Sequence, residues 1–124
     1  MTEGQAFRRG DVVLASIPFA SDMATGKVRP AVVVQNDVGN LFSPNLIVAA
    51  ISSQLPSRQY PTNVIVRRNT SESQGTGLDR DSTVQAEVIL TVSKANVVRR
   101  IGRFSEATMR NVDGCLRVSL GLGP

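Results

Sequence analysis

Short apolar runs, each bounded by polar or turn-forming residues, dominate the first half of the chain. The three clearest runs are Val12–Ile17, Ala31–Val34 and Leu46–Ile51. Continuous runs of this length that are rich in β-branched residues predict β-strands. Such strands are buried on both faces or lie at the centre of a closed sheet.

The second half of the chain alternates more regularly between apolar and polar positions. Thr83–Val88 places Val84, Ala86 and Val88 on one face of a predicted strand and Thr83, Gln85 and Glu87 on the other. Asn63–Arg67 and a stretch within Val97–Phe104 predict two further short strands. Ala20–Lys27 and Arg68–Asp79 are rich in small polar residues and Gly, so they predict an exposed loop and a mobile loop.

The C-terminal segment changes to a helical period. Ser105 is a suitable N-cap, and Gly121 is a natural stop. Between them, one face of a helix carries Met109, Val112, Leu116 and Leu120. The pattern as a whole predicts a single, mainly β domain over residues 1–124, with a small twisted sheet or half-barrel of short strands and one C-terminal helix. Met1–Phe7 reads as a flexible tail.

Composition is consistent with one domain and adds a charge signal. The chain has 124 residues, of which 41% are apolar, so a core can form without a metal or disulfide staple. The net charge is +4, and only Lys27 and Lys94 among the 14 basic residues are Lys. Arginine forks suit phosphate, which favours a polyanionic partner. A GC-rich coding sequence explains the same imbalance.

The residues that are missing narrow the chemistry further. The sequence has no His and a single Cys, Cys115. His-dependent nuclease chemistry, Ser-His-Asp hydrolysis, an internal disulfide and a Cys-rich zinc site are therefore excluded. No apolar run has the length of a membrane span or a signal peptide. We expect a soluble, cytoplasmic protein whose Cys115 is a buried structural thiol, and whose Phe42, Phe104 and Tyr60 belong to the core.

Two of the apolar runs suggest a site when they are paired. If Ala31–Val34 and Ile47–Ala50 pair antiparallel with their centres opposed, the residue numbers of each pair sum to 81. Arg29 then lies opposite Ser52, with Lys27 nearby, and Arg with Lys suits a phosphate group. A one-residue slip would separate the pair. The competing interpretation is an ordinary surface Arg before a Pro and an ordinary turn Ser.

Several ordered blocks of sequence resemble the MazF/PemK family of toxin endoribonucleases. The similarity extends over about residues 8–120. It is carried by Arg9–Val12, by residues 28–40 (VRPAVVVQNDVGN), by residues 42–54 (FSPNLIVAAISSQ), by Tyr60–Val64, by Asp79–Ser82 and by Ala86-Glu87.

The resemblance implies a CcdB/PemK-type fold, which is an SH3-like barrel of short antiparallel strands with an added helix, assembled as a homodimer. It also implies metal-independent cleavage of single-stranded RNA or mRNA at a short sequence, with no cofactor. In this family the substrate's 2′-OH is the nucleophile, and the products carry a 2′,3′-cyclic phosphate and a 5′-OH. A cognate, MazE-like antitoxin is the expected protein partner.

Position by position, Arg29 matches the catalytic Arg of the family, and Ser52 stands where the family usually has a catalytic Thr. Ser keeps the hydroxyl but loses the methyl group that restricts its rotamers. We assign Arg29 to charge stabilisation, because a guanidinium stays protonated and cannot accept a proton as a general base. Candidate RNA-binding residues around this pair are Phe19, Lys27, Asn36, Ser53 and Gln54. For Asn36 and Gln54, a turn or sheet-edge role is an equal alternative.

The chain departs from the family pattern at two positions. Ala24 stands where many members carry a Glu that is suggested as the general base, and Val88 replaces a Gln after Glu87. The base is therefore unassigned, and the candidates are Asp22, Asp81 and Glu87. Residues 94–110 contain a further basic group, and within this stretch only Glu106 opposes its charge. The group either follows an RNA backbone, attracts an acidic antitoxin tail or forms a solvated face. Its members are Lys94, Arg99, Arg100, Arg103 and Arg110.

Two other function classes compete with the ribonuclease hypothesis. The first is a non-catalytic, CcdB-like toxin that inhibits a protein such as DNA gyrase, and it is favoured by the missing acid and by the Ser. The second is a sheet-based RNA-binding module, which the 4% aromatic content disfavours. RNA cleavage in the presence of EDTA separates the ribonuclease hypothesis from both of these classes.

Overall fold

The predicted combination of short strands and one C-terminal helix is confirmed. A computed structural model of the chain describes residues 6–17 and 27–123. Neighbouring strands are antiparallel, and the strand order is β4-β5-β3-β2-β1-β6. Within the described ranges, the elements are β1 (Asp11–Ser16), β2 (Val28–Val33), α1 (Asp37–Phe42), β3 (Asn45–Ser52), β4 (Asn63–Val66), β5 (Ser82–Ser93), β6 (Val97–Arg103) and α2 (Glu106–Leu120).

The central strands β1, β2 and β3 are buried on both faces, as their continuous apolar runs predict. Successive side chains of a strand point to opposite faces, so each strand contributes to two cores. One core contains Phe7, Val13, Ala15, Ile17, Ala31, Val33, Leu46, Val48 and Val92. The other, on the α2 side, contains Val12, Val32, Ala49, Ile51, Val66, Val84, Phe104, Met109 and Val112.

The predicted register between β2 and β3 is also confirmed. Ala31 pairs with Ala50, Val32 with Ala49 and Val33 with Val48, so the numbers of each pair sum to 81. A slip of one residue would exchange the side chains that fill the two cores and disrupt their packing. Burial on both faces therefore holds this register.

Strand β5 is longer than predicted and sharply irregular. It continues through a second apolar stretch to Ser93 instead of ending at Val88. Between its pairings of Ile89 with Ala49 and of Gln85 with Ala50, three residues bulge out of the β3 ladder. Bulges bend a strand and increase its twist. The first part of β5 therefore turns away from its second part and pairs with β4.

Helix α2 begins and ends where its sequence signals predict. The Ser105 side chain accepts a hydrogen bond from the Thr108 N–H (3.1 Å), and Gly121 adopts the left-handed conformation at the C-terminus. Met109 and Val112 face the second core, and the helix packs against β4 and β5. In the described ranges, no helix has both the length and the apolar composition of a membrane span.

Helix α1 was not predicted, because its polar anchors are scattered along the sequence. Asn36 caps it by accepting a hydrogen bond from the Gly39 N–H (2.8 Å). Gln35 and Asn40 are buried and hydrogen-bond each other, with Gln35 Nε2 3.0 Å from Asn40 Oδ1. Lys94 reaches across from the end of β5 and donates to the Asn40 carbonyl (2.6 Å). These buried polar groups are mutually satisfied, which makes the short helix stable.

Three expectations about individual side chains are wrong. Phe42 is 78% exposed, because it lies on the outward face of α1, and Tyr60 is 41% exposed in the turn before β4. Phe7 is buried in the first core, so the flexible tail does not extend to this residue. Phe104 is buried as expected. Residues 1–5 lie outside the described part of the chain.

The Arg9-Gly10-Asp11 motif connects the sheet to helix α2. The Arg9 side chain donates to the Val34 carbonyl (2.9 Å) and to Asp113 on α2 (2.6 Å). Asp11 is fully buried, accepts a hydrogen bond from the Arg8 N–H (2.8 Å), and lies 3.4 Å and 3.5 Å from the guanidinium groups of Arg100 and Arg103. The motif is therefore structural.

The loop predicted to be mobile is instead packed against β6. Arg103 N donates to the Gly75 carbonyl (2.8 Å), and Thr76 is fully buried. Gly77 has φ +75°, and a Cβ at this position would collide with the backbone oxygen of Ile101. Only Gly allows both this conformation and this contact.

We therefore expect Gly77→Ala to lower the free energy of unfolding by more than about 2 kcal/mol, because strain and overlap add. Gly75→Ala is the matched control: Gly75 has the same φ but open space around it, so strain alone should cost about 1–2 kcal/mol. Urea unfolding of both variants measures the difference. Equal losses would show that the contact with β6 is unimportant.

Asp37 connects the N-terminal segment to α1 in a pH-dependent way. Its carboxylate accepts hydrogen bonds from the Arg9 N–H (2.7 Å) and from Asn40 Nδ2 (3.1 Å), and these bonds lower the pKa of Asp37 below its ordinary value of 3.8. A lowered folded-state pKa stabilises the protein above the unfolded-state pKa, and this stabilisation is lost as the pH falls through the folded-state value. Asp37→Asn should therefore be less stable than the wild type near pH 7, and the difference should shrink below about pH 4. Denaturant unfolding at both pH values checks this expectation; a constant difference would contradict it.

Candidate active site

A cleft of about 660 Å³ opens at the end of the sheet where β2 begins and β3 ends. One wall comes from the loop that precedes β5, and another from β6. Its apolar lining includes Leu14, Pro30, Ile51, Leu78 and Ile101. The polar side chains that line it are Arg29, Ser52, Ser53, Gln54, Asp79, Arg80, Ser82, Gln85 and Arg99.

Arg29 and Ser52 line the same cleft, as the register predicts. Arg29 lies two residues before Ala31, and Ser52 two residues after Ala50, so the Ala31–Ala50 register places them opposite each other on one face. On their outer sides, Arg29 pairs with Ala15 of β1 and Ser52 with Thr83 of β5. Both side chains are half-buried. The guanidinium and the hydroxyl are thus carried by adjacent strands of the core.

The turn after Ser52 is held by two hydroxyl groups. Ser52 Oγ accepts a hydrogen bond from the Gln54 N–H (3.1 Å), and Thr83 Oγ1 donates to the Gln54 carbonyl (2.9 Å). The Ser52 hydroxyl acts as an acceptor in this bond, so its own proton remains able to donate to a ligand oxygen. Side chains on packed strands with fixed partners need little reorganisation when a ligand binds.

Three arginines give the cleft a positive field. Arg29 and Arg99 come from β2 and β6, and Arg80 comes from the loop before β5. Asp79 offsets part of this charge, because its Oδ1 lies 3.6 Å from Arg80 Nε in a highly exposed ion pair. Exposed ion pairs of this kind are weak. The cleft can therefore attract and hold a phosphate group.

The basic group of the C-terminal third does not form one face. Lys94 is buried beneath α1, and Arg100 and Arg103 are directed toward the buried Asp11. Arg110 lies on α2 beside another, shallower cavity. Of the five, only Arg99 lines the cleft.

Neither of the two described candidates for the general base lines the cleft. Asp81 accepts a hydrogen bond from the Arg68 N–H (2.8 Å) and lies 3.7 Å from the Arg67 guanidinium. Glu87 accepts from Asn63 Nδ2 (2.9 Å), and its charge adds to the effect of burial in raising the pKa of the half-buried Cys115 on α2. The third candidate, Asp22, lies outside the described residues. Among the described residues, Asp79 is the carboxylate that lines the cleft.

The candidate RNA-binding residues separate into three groups. Ser53 and Gln54 line the cleft on the turn after β3. Lys27 is exposed and lies two residues before Arg29, where its carbonyl accepts a hydrogen bond from the Ile17 N–H (3.1 Å). Asn36 lies beyond the opposite end of β2 and caps α1, which is the turn role. Phe19 lies outside the described residues.

Sequence reasoning missed Asp79 and Arg80, and it named Gln85 only as part of an alternating strand. Asp79 and Arg80 reach the cleft because the preceding loop packs against β6, and the sequence contains no local signal for that contact. Gln85 could have been predicted, because the alternation places it on the same strand face as Thr83, and Thr83 is the strand partner of Ser52. The missing step was the register between β3 and β5.

Comparisons with known proteins show the family of the chain. A family model described as a PemK-like, MazF-like toxin of type II toxin-antitoxin systems matches residues 8–120. Endoribonuclease MazF of Staphylococcus epidermidis is 39% identical over 115 residues, which cover 93% of this chain and 92% of that protein.

Two solved structures have the same fold at low identity. A mycobacterial endoribonuclease in complex with its cognate antitoxin matches with a TM-score of 0.73 at 23% identity, over 96% of this chain and 99% of that one. A MazE-MazF structure from Deinococcus radiodurans matches with a TM-score of 0.64 at 17% identity, over 94% of this chain and 96% of that one.

Proposed function

The chain belongs to the PemK-like, MazF-like toxin family of type II toxin–antitoxin systems, and from this premise we propose that Arg29 and Ser52 form its reaction centre. As a member of the family, the chain is an endoribonuclease toxin. The observation that carries the residue assignment is the presence of an Arg and a Ser on adjacent strands in one cleft, which two further arginines also line.

The proposed reaction needs only groups that the RNA and the cleft contain. The 2′-OH of the RNA attacks the neighbouring phosphorus, the bond from phosphorus to the 5′-oxygen breaks, and a 2′,3′-cyclic phosphate forms. A base removes the proton of the 2′-OH, and the departing 5′-oxygen takes a proton from water in the cleft to become a 5′-OH. Negative charge grows on the phosphoryl oxygens in the transition state. Arg29 stabilises this charge, and the Ser52 hydroxyl donates a hydrogen bond to one of these oxygens.

We assign the proton acceptor by asking which of the described carboxylates line the cleft. Asp81 and Glu87 are held elsewhere by Arg67, Arg68 and Asn63. The location of Asp79 in the cleft supports its assignment as the base. A carboxylate can accept the 2′-OH proton directly or through one water molecule.

Protein partners and location follow from the family. The mycobacterial relative is solved with its cognate antitoxin, and the Deinococcus radiodurans relative as a MazE-MazF assembly. The partner of this chain is accordingly an antitoxin of the MazE kind, and its substrate is RNA. We further propose that the antitoxin blocks the cleft, that the toxin is a homodimer, that it cuts single-stranded mRNA without a metal ion, and that it acts in the cytoplasm.

The first test of the reaction centre is cleavage of a long single-stranded RNA in EDTA. Arg29→Ala should lower the rate about 100-fold or more, because the main stabiliser of the transition-state charge is lost. Ser52→Ala should lower it by a similar factor, whereas Ser52→Thr should retain activity, because Thr keeps the hydroxyl. Product ends are assigned by their reactivity toward a 5′-kinase and by mass spectrometry.

Arg117→Ala is the matched control, since Arg117 is an exposed arginine in the last turn of α2, outside the cleft. It should cleave RNA at the wild-type rate. An intact RNA together with arrested growth would overturn the reaction centre and favour a toxin that inhibits a protein. An inactive Ser52→Thr variant that is correctly folded would overturn the role of the hydroxyl.

A second test concerns the proton acceptor. Asp79→Asn should lower the single-turnover rate about 100-fold or more while RNA affinity changes little, because the amide cannot take the proton. Asp81→Asn is the control, since that carboxylate does not line the cleft, and Asp22→Asn tests the remaining candidate. A large loss in Asp22→Asn with an unchanged rate in Asp79→Asn would assign the base to Asp22 instead.

A further inference from the structure

We propose that Gln85 reads the base next to the scissile phosphate and so determines part of the RNA sequence that is cut. This inference rests on the proposed function of the cleft. Gln85 is a half-buried residue in the first part of β5, and it lines the cleft together with Arg29 and Ser52. Within the cleft it is the one side-chain amide carried by a strand, because Gln54 lies on a turn.

The strand register places Gln85 close to the reaction centre. Ser52 pairs with Thr83, and Ala50 pairs with Gln85, so Gln85 is the diagonal neighbour of Ser52 on the same face. Diagonal neighbours across an antiparallel pair are about 7–8 Å apart, which long side chains can span. A base joined to the phosphate at Arg29 and Ser52 therefore comes within reach of the Gln85 amide.

The strand neighbours of Gln85 do not compete with it for that base. The residues beside Gln85 in its row toward β2 are Ala50 and Ala31, and both are buried methyl groups. The neighbour on the other side is Asn63. Its amide already donates a hydrogen bond to Glu87 Oε1 (2.9 Å), so it is occupied within the protein. Gln85 is therefore the residue of this row that lines the cleft.

The Gln85 amide is also chemically available. Two neighbouring hydroxyl groups already have backbone partners: Thr83 Oγ1 donates to the Gln54 carbonyl, and Ser52 Oγ accepts from the Gln54 N–H. In the part of the chain that the structure describes, no hydrogen bond engages the Gln85 amide. A Gln amide offers a donor beside an acceptor, which matches base edges that present an acceptor beside a donor. A half-buried amide discriminates strongly, because a base without the matching edge leaves it unsatisfied.

The experiment maps cut sites in a random-sequence RNA library for the wild type, Gln85→Ala and Gln85→Glu. The wild type should prefer one base at a position adjoining the cut. Gln85→Ala should lose this preference about 10-fold or more at that position alone, while the other positions keep theirs. Gln85→Glu presents only acceptors when ionised, so its preference should move toward guanine, whose N1–H and N2–H₂ groups are both donors.

Gln59→Ala is the matched control, because Gln59 is an exposed amide outside the cleft that donates to the Asn63 carbonyl (3.3 Å). It should leave the cut-site distribution unchanged. A second measurement is independent of cleavage: affinity for 2′-O-methyl oligonucleotides that carry each of the four bases at the adjoining positions. Base preference in binding should disappear in Gln85→Ala.

The outcomes separate the two proposals. Intact RNA with the wild-type protein would overturn the proposed reaction, and the binding panel would still decide the role of Gln85. Unchanged base preference in a folded Gln85→Ala variant, in cleavage or, where RNA is not cut, in binding, would overturn the role of Gln85 and leave the reaction centre intact. A uniform loss of rate without a change in preference would make Gln85 a positioning residue instead of a reader of sequence.

Discussion

The pairing of β2 with β3 is the constraint on which the rest of the molecule depends. Both strands are buried on both faces, so a shift of one residue would exchange the side chains that fill the two cores and disrupt the packing of both. The core therefore fixes the register, and the register alone brings Arg29 opposite Ser52 at the strand ends. No hydrogen bond between the two side chains is needed to hold them in position. Chemistry and folding are coupled here through the same ladder, since a mispaired sheet would lose its core and its reaction centre together.

The charge of the protein is informative only through its distribution. A net charge of +4 is mild for an RNA-binding protein. Much of the basic surface of the C-terminal third is used structurally, because the fully buried Asp11 interacts with Arg100 and Arg103, and Lys94 anchors α1. The cleft keeps three arginines with one exposed carboxylate. Local concentration of positive charge in a concave site attracts a phosphate backbone more effectively than the same charge spread over the surface.

What could be predicted from the sequence is what depends on local pattern. The apolar runs predicted the central strands, their matched lengths predicted the β2–β3 register, and the spacing of Met109 and Val112 predicted the inner face of α2. Three features escaped because distant contacts create them. The bulge in β5 appears only when β3 and β4 are both paired with it. Helix α1 depends on Lys94, 54 residues from Asn40. Asp79 reaches the cleft because Gly77 lets the loop pack against Ile101.

The bulge in β5 has a consequence for how such a site can change during evolution. Before the bulge, Thr83 and Gln85 are in register with Ser52 and Ala50, and after it the strand serves the core and the anchor of α1. A strand that bends at one place can keep its second half unchanged while the half-buried Gln85 of its first half varies. Replacing Gln85 alters a group in the cleft whose strand neighbours Ala50 and Ala31 are small, so the packing cost is low. Replacing Arg29 or Ser52 instead removes the groups that act on the phosphate, which every RNA sequence shares. The sequence preference can thus change at Gln85 while the reaction at the phosphate stays the same, because phosphate contacts position the RNA and base contacts determine which sequence is bound.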